Sequence, residues 1–351
     1  MEAVSDPYFE LSYEGKDITL VVAPLLLSLR LTDKRQGEAD DISIQLDDSD
    51  LTWMGPYSPG RGDRIEIKLG YKDGHSLGPV GFEIDQPEWT GGYGKASVIT
   101  LKGLATPVSA TLREKKTQAW ENVTLQAIAA SVATANDLEL VGDVPPIEFE
   151  RLTQKEETDL AFLRRLAGDY GLIFKVEGVR YLVFYLVSAL EAAEPVETID
   201  RKQSIISSYR LRRSSVGTYK SAKVSYIDPI TGKLISPSLD AEGQEVATPV
   251  AGESRPATTA QLVIREPFDN LEQARAIAIS RLHRANRGEI KLSLQCCGLP
   301  HLSAGSNLTL TGFLLYSGKY QIESVTHSLD KRSGYRSSLE LVGLEVNYDA
   351  E

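Results

Sequence analysis

Cysteine is almost absent from these 351 residues: only Cys296 and Cys297 occur, and they are adjacent. Neighbours cannot staple distant segments, so a disulfide framework is excluded. The alternation of Leu292, Leu294 and Cys296 predicts plain strand positions for the pair. Histidine is equally scarce, with His75, His283, His301 and His327 scattered along the chain. None stands in an H-E-x-x-H or other metal-ligand spacing, and neither a G-x-S-x-G elbow nor a phosphate loop occurs. No catalytic, cofactor-binding or metal-ligating residue is therefore expected, and no cofactor.

Long apolar runs are missing too. The stretch from Ile18 to Leu31 contains Pro24 and Arg30 and falls short of the roughly 20 apolar residues of a membrane helix. Met1 to Tyr13 carries early acids and no apolar h-region, so no export signal and no membrane insertion are expected. Positive charge is in deficit: Lys and Arg total 38 against 49 Asp and Glu, for a net charge of −11. That balance argues against wrapping nucleic acid, which needs a cationic surface to displace counterions.

What remains is ordinary for a folded protein, with 42% hydrophobic and 25% charged residues, and the length suits two or three modules of roughly 100–200 residues each. In the first third, Ile42, Ile44 and Leu46, then Ile65, Ile67 and Leu69, alternate with polar residues at the period of strands with one wet face. Gly55 to Gly60 is a turn-rich connection. Phe82 with Ile84, and Ile99 with Leu101, add strands, and the module ends near Leu104.

The middle third changes period. Leu125, Ile128, Ala129 and Val132 form one apolar helical stripe. A second helix is expected from Thr158 to Tyr170, buried through Leu160, Phe162, Leu163, Leu166 and Ala167, with Gly171 ending it in the left-handed conformation. Leu172 to Val176 and Tyr181 to Tyr185 flank Glu177-Gly178 as a hairpin. The last third is β again. Arg210 to Ile227 is strand-like, 236–259 is expected to be an exposed mobile loop, and Asp269 with Glu272 predicts a capping box for a helix from Asn270 to Asn286. Gly288 stops that helix. Strands return at Leu292–Cys296, Leu308–Leu310, Tyr320–Val325 and Leu339–Leu341.

Several charged groups invite a functional reading and receive a plainer one. Asp47, Asp48 and Asp50 lack the glycine and terminal Glu of a calcium loop and read as a solvated strand end. Arg61-Gly62-Asp63 reads as a turn. Arg210, Arg212 and Arg213 form a basic cluster, read as a subunit contact or solvated face. Glu156, Glu157 and Asp159 invite comparison with the paired carboxylates of a glycosidase, but at a helix start they favour the positive end of its dipole.

The two β-rich ends echo each other. Gly62 to Ile67 resembles Gly305 to Leu310, Phe82 to Asp85 resembles Tyr320 to Glu323, and Ile99 to Leu104 resembles Leu339 to Leu344, in the same order with similar gaps. This predicts two copies of one barrel-like unit. The expected fold is α+β, mainly β: a first β-barrel domain (1–110), an α+β insert (111–205), and a second β-barrel domain (206–351) carrying one helix and the loop.

The segment Thr153 to Ala167, with Glu157-Thr158-Asp159, Phe162-Leu163, Arg165-Leu166-Ala167 and then Tyr170-Gly171, resembles the signature of the late control gene D family. That family comprises phage tail hubs and the related valine-glycine-repeat proteins of type VI secretion. The likeness extends through Tyr226 to Lys233, Ala274 to Arg287, Gly298-Leu299-Pro300, Ala304-Gly305, Gly318-Lys319-Tyr320 and Val325-Thr326-His327. It implies a non-enzymatic structural hub of a contractile tail baseplate: a homotrimer with its insert outside, joining a hexameric tail tube or tube initiator to a trimeric spike. Baseplate wedge proteins and a tape measure protein are the further partners it suggests. Ending at Glu351 without a spike β-helix implies that the spike is a separate chain, and a phage, prophage or tailocin particle assembled in a bacterial host. A distal-tail adaptor and a hub with hydrolase activity stand as alternatives.

Overall fold

A computed structural model describes residues 6–36, 39–72, 74–107, 110–214, 219–227, 229, 231–241, 243–246, 261–268 and 270–346. The alternating segments of the first third become β1 (Pro7–Tyr13), β2 (Lys16–Asp17), β3 (Leu26–Lys34), β4 (Asp41–Asp47), β5 (Arg64–Tyr71), β6 (Ser76–Gly92) and β7 (Lys95–Leu104), with a single helical turn α1 (Thr19–Val22). They pair in the order β3-β4-β7-β6-β5-β1-β2. The alternation places Ile42, Ile44, Leu46, Ile65, Ile67 and Leu69 in one buried core, each side chain contributing about 1.5–3 kcal/mol on removal from water.

The insert holds α2 (Ala110–Arg113), β8 (Lys116–Thr124), α3 (Leu125–Ala135), β9 (Glu139–Val141), β10 (Glu148–Glu157), α4 (Asp159–Asp169), β11 (Leu172–Glu177), β12 (Tyr181–Leu186) and α5 (Val187–Ala192). Thr124 and Thr158 cap α3 and α4, their hydroxyls accepting from the Ala127 and Ala161 amides at 3.1 Å. Gly171 ends α4 at φ +70°, as its position requires. The stripes of both helices close on β11 and β12 in a core of their own. Glu156 and Glu157 belong to the end of β10, so only Asp159 lies in the first turn of α4.

The last third gives β13 (Glu197–Asp200), β14 (Ile206–Arg213), β15 (Ser221–Val224), β16 (Tyr226–Ile227), β17 (Leu234–Ile235), β18 (Ser238–Leu239), β19 (Gln261–Ile264), α6 (Leu271–Asn286), β20 (Ile290–Cys297), β21 (Asn307–Thr311), β22 (Gly318–Asp330) and β23 (Gly334–Val346). The cap of α6 falls on Asn270, whose Oδ1 accepts from the Gln273 amide at 2.8 Å; Asp269 lies outside the described residues. Of the expected loop at 236–259, residues 247–260 are also outside them, while Ser238 and Leu239 form a buried strand. Helix α6 packs on β15, β18 and β19 around Ala222, Leu239, Ile277 and Leu282.

The echo between the ends is a matter of topology as well as sequence. The run β3-β4-β7-β6-β5 is repeated, strand for strand and in the same antiparallel sense, by β14-β20-β23-β22-β21. Register shifts recur at matching places: Leu26/Ser28 and Ile206/Ser208, then Ile84/Gln86 and Ile322/Ser324. Past the first shift, Ser28 Oγ donates to Gln45 Oε1 at 2.9 Å, and Ser208 Oγ to Gln295 Oε1 at 3.1 Å. Gly62 and Gly305, at φ +90° and +91°, donate to the Ile84 and Ile322 carbonyls at 2.7 and 2.8 Å. One sequence match slides by two residues. Leu101 faces Pro87 and Leu339 faces Val325, so the ladder equates Leu101 with Leu339, not with Leu341. A period-two pattern matches itself under such a slide.

The two halves differ at their outer strands: β1 runs antiparallel to β5, whereas β13 runs parallel to β21. Nor does either half close on itself among the described residues, against the expectation of two tandem barrels. Strand β3, at the edge of the first half, uses its outer side to pair with β22 of the second. One ladder thus runs from β14 to β2. The chain is mainly β, as expected, with the halves fused edge to edge.

Leu163 is fully buried among the insert's apolar side chains. Leu163→Asp should destabilise the chain by about 4 kcal/mol or more, an unpaired charge having no compensation there. Chemical denaturation monitored by circular dichroism checks this.

Candidate assembly site

The fused edge is the most elaborate site in the molecule. Seven rungs join β22 to β3, from Ser324 opposite Lys34 to Asp330 opposite Ser28. Leu29 and Leu31 point inward from β3 and share a core with Leu329 and Tyr335 from the other half. On the opposite face, Thr326 Oγ1 donates to Thr32 Oγ1 at 3.4 Å.

His327 sits mid-ladder opposite Leu31 and is fully buried. Its Nε2 lies 3.3 Å from the Leu302 carbonyl, an acceptor, so the proton belongs on Nε2. Nδ1 then accepts, with Tyr335 Oη at 2.9 Å and Ser337 Oγ at 3.1 Å. Burial holds the ring neutral and pushes its pKa down to about 4.

Two cations lock the surroundings. From β11, Lys175 Nζ meets Asp33 at 3.0 Å, Asp40 at 3.1 Å and Glu177 at 3.5 Å. The other oxygen of Asp33 accepts from the Ala304 amide at 2.8 Å, so one carboxylate ties β3 to both the insert and the second half. Burial opposes the charge on Lys175, but the carboxylates outweigh it and raise the pKa. Burial pushes the Asp40 carboxyl up, against the pull of Lys175. Just beyond α6, Arg287 contacts Glu191 of α5, Glu323 at 2.6 Å and Gln321 at 2.6 Å, binding the insert to β22.

The residues singled out in the sequence are dispersed. The rings of His75 and His301 lie 5.4 Å apart, His301 reaches Glu197 at 3.1 Å and His283 reaches Glu191 at 3.1 Å. Among the described residues no three His, Cys, Asp or Glu side chains are grouped to hold a metal. Cys296 is buried and Cys297 exposed, as opposite faces of β20 require. Asp47, Asp48 and Asp50 accept from the amides of Ser49, Trp53 and Thr52. Arg61 pairs with Asp85 at 3.2 Å, and Asp63 accepts from the Gly60 amide and Tyr13 hydroxyl, consistent with a turn. Glu157 is bound by Arg165 at 2.7 Å, and Asp159 by Lys116 at 2.6 Å and Gln154 at 3.0 Å. Arg210, Arg212 and Arg213 stand exposed on β14, the last 3.3 Å from Glu289. Sequence reasoning missed the seam roles of Lys175, Arg287 and His327: each acts through partners remote in the chain, and the local signal was a polar residue interrupting an apolar strand for Lys175 and His327, while Arg287, just past α6, carried no such signal.

A duplicated sheet fused through one shared edge, with an α+β insert clamped to the seam, defines a tail-hub class of fold. The family profile described as phage tail baseplate hub (GPD) matches residues 104–333, and the chain belongs to that family. It is 24% identical over 378 aligned residues to the probable baseplate hub protein of Escherichia phage 186, covering 98% of this chain and 95% of that protein. The 43 kDa tail protein of prophage MuSo2 from Shewanella oneidensis superposes with a TM-score of 0.71 at 15% identity, covering 96% and 98% of the two chains. The E. coli c3393 protein, a component of the type VI secretion system, gives a TM-score of 0.58 at 14% identity, over 96% and 78%.

The seam's polar groups make two predictions. The folded pKa of His327, about 4, lies below the unfolded value of about 6.5. The unfolded chain therefore binds more protons between these values, and stability falls as pH drops from 6.5 towards 4, by about 3 kcal/mol. Denaturation midpoints across that window should follow this fall, with a shallower slope in His327→Gln. Lys175→Met strands buried carboxylates and should cost about 3–5 kcal/mol; limited proteolysis should then cut at the insert boundaries faster than in the wild type.

Proposed function

We propose that this baseplate hub is a homotrimeric ring joining the hexameric tail tube, or its initiator, to a trimeric spike in a contractile tail. Residues 1–110 and 206–351 act as two barrel-like units, with 111–205 as an outward insert. The observation that carries the reading is the repeated strand order. A ring of three chains with two like units each offers six near-equivalent surfaces to a sixfold neighbour while remaining threefold towards the spike. The acidic net charge favours solubility before assembly and repels nucleic acid along the axis. Wedge proteins, and a tape measure protein, are the remaining expected neighbours.

The role is structural. The relatives matched above are described as hub and tail proteins, and the carboxylates of the insert are engaged by Lys116, Gln154 and Arg165. Light scattering of the protein with its spike should give three copies per assembly, and electron microscopy of the tail tip a central ring of three. Six copies would instead indicate a distal-tail adaptor. Zymography on peptidoglycan should show no clearing; a cleared zone would make the hub a hydrolase.

A further inference from the structure

The seam inside one chain has an unfilled counterpart at each end of the same chain. Strand β22 is paired along its length by β23 on one side. On its other side β21 covers Gly318 to Gln321 and β3 covers Ser324 to Asp330. Strand β6, its equivalent, has β7 on one side and β5 on the other, but β5 stops at Arg64 opposite Glu83. From Gln86 to Gly92 the second side of β6 has no ladder partner among the described residues. The missing strand is the equivalent of β3, which is β14. Among the described residues that strand pairs with β20 alone, and it exposes Ser208, Tyr209, Arg210 and Arg212.

We propose that β14 of one chain adds antiparallel to β6 of a second copy, repeating between subunits the β3–β22 seam found within each. The proposal rests on the ring reading above and gives it a register. The matched shifts equate Leu29 with Tyr209, Leu31 with Leu211 and Thr32 with Arg212, and likewise Glu88 with Thr326, Trp89 with His327 and Gly91 with Leu329. The Leu31–His327 rung becomes Leu211 opposite Trp89, and the Leu29–Leu329 rung becomes Tyr209 opposite Gly91. Tyr209 is 48% exposed; a glycine opposite leaves room for its ring. The Thr32–Thr326 contact becomes Arg212 opposite Glu88, an ion pair of opposite charges. In one chain Glu88 instead lies 3.0 Å from Lys102 across its own sheet.

The backbone fits with one defect. The Glu323 carbonyl accepts from the Arg35 amide at 2.9 Å, so alternate residues of β22 from Glu323 onward present their backbone to β3. The equivalents on β6 are Asp85, Pro87, Trp89 and Gly91. Pro87 has no N–H, so that rung donates nothing. Proline and charge on a free strand are the usual guards against indiscriminate pairing, and they leave this edge to a strand that matches it. The contact is head-to-tail, with different patches meeting, so copies add until the ring closes.

Arg212 and Glu88 form a rung without backbone bonds, where Cα atoms stand about 4.5 Å apart, within disulfide reach. The test uses the full chain with its spike, in a Cys297→Ser background. Arg212→Cys with Glu88→Cys should cross-link under mild oxidation into reducible dimers and trimers, while Arg212→Cys with Gly92→Cys, four residues out of register, should not. Arg212→Glu should weaken trimer formation at least tenfold, and adding Glu88→Arg should restore it. A trimer that gives no in-register cross-link, or that survives Arg212→Glu undiminished, overturns the strand pairing and leaves the ring standing. Failure of the wild type to form any trimer with its spike overturns both.

Discussion

Backbone amides and carbonyls at the edge of a sheet must find partners or face water, and this requirement organises the hub. Strand β3 satisfies it on both sides, with β4 in its own half and β22 in the other. Leu29 and Leu31 are consequently buried beside Leu329 and Tyr335, so the core of the first half is finished by side chains of the second. The seam ties the two duplicated units into one continuous ladder, where separate domains would be free to rock.

Charged side chains from three parts of the chain reinforce the seam. Asp33 belongs to β3, yet its two oxygens are held by Lys175 of the insert and the Ala304 amide of the second half. Arg287 reaches from the end of α6 to α5 and β22 at once. Such buried pairs add little net stability relative to well-packed apolar residues, but removing one partner is costly, so they specify which surfaces may meet. The insert is therefore fixed in orientation as well as attached. The neutral, buried His327 places a proton-sensitive group in the same seam.

Much of this was legible in the chain, and the limit has a physical cause. Period-two runs such as Ile42-Ser43-Ile44 and the stripe Leu125, Ile128, Ala129, Val132 report which face is buried, because burial acts locally through the strand or helix period. Thr158 announced its helix for the same reason. The duplicated order was visible, but its register was not: Ile99–Leu104 matched its counterpart two residues out, since alternation alone cannot distinguish a slide of two. Closed barrels were expected and no closure is found among the described residues, because no residue states which strand lies beside β3. Nothing near Lys175 in sequence names Asp33 or Asp40 as its partners, and no motif marks His327 as seam rather than surface. The carboxylates at 156–157 were misplaced onto a helix because β10 runs to within two residues of α4.

The equivalent rungs of the two seams have diverged in a way that their circumstances explain. Within the chain, β3 and β22 are tethered, so pairing is intramolecular and the effective concentration is high whatever the side chains contribute. Thr32 and Thr326, a neutral pair, suffice. In the seam proposed between chains, the same rung has to attract one partner and reject others, and opposite charges raise the encounter rate and penalise mismatched edges. Arg212 and Glu88 stand at those positions. A solvated cation on β14 also keeps that edge soluble before assembly, which a hydroxyl would do less well. Duplication supplied two identical edges; the difference between a covalently guaranteed neighbour and one that must be found accounts for threonine at one seam and charge at the other.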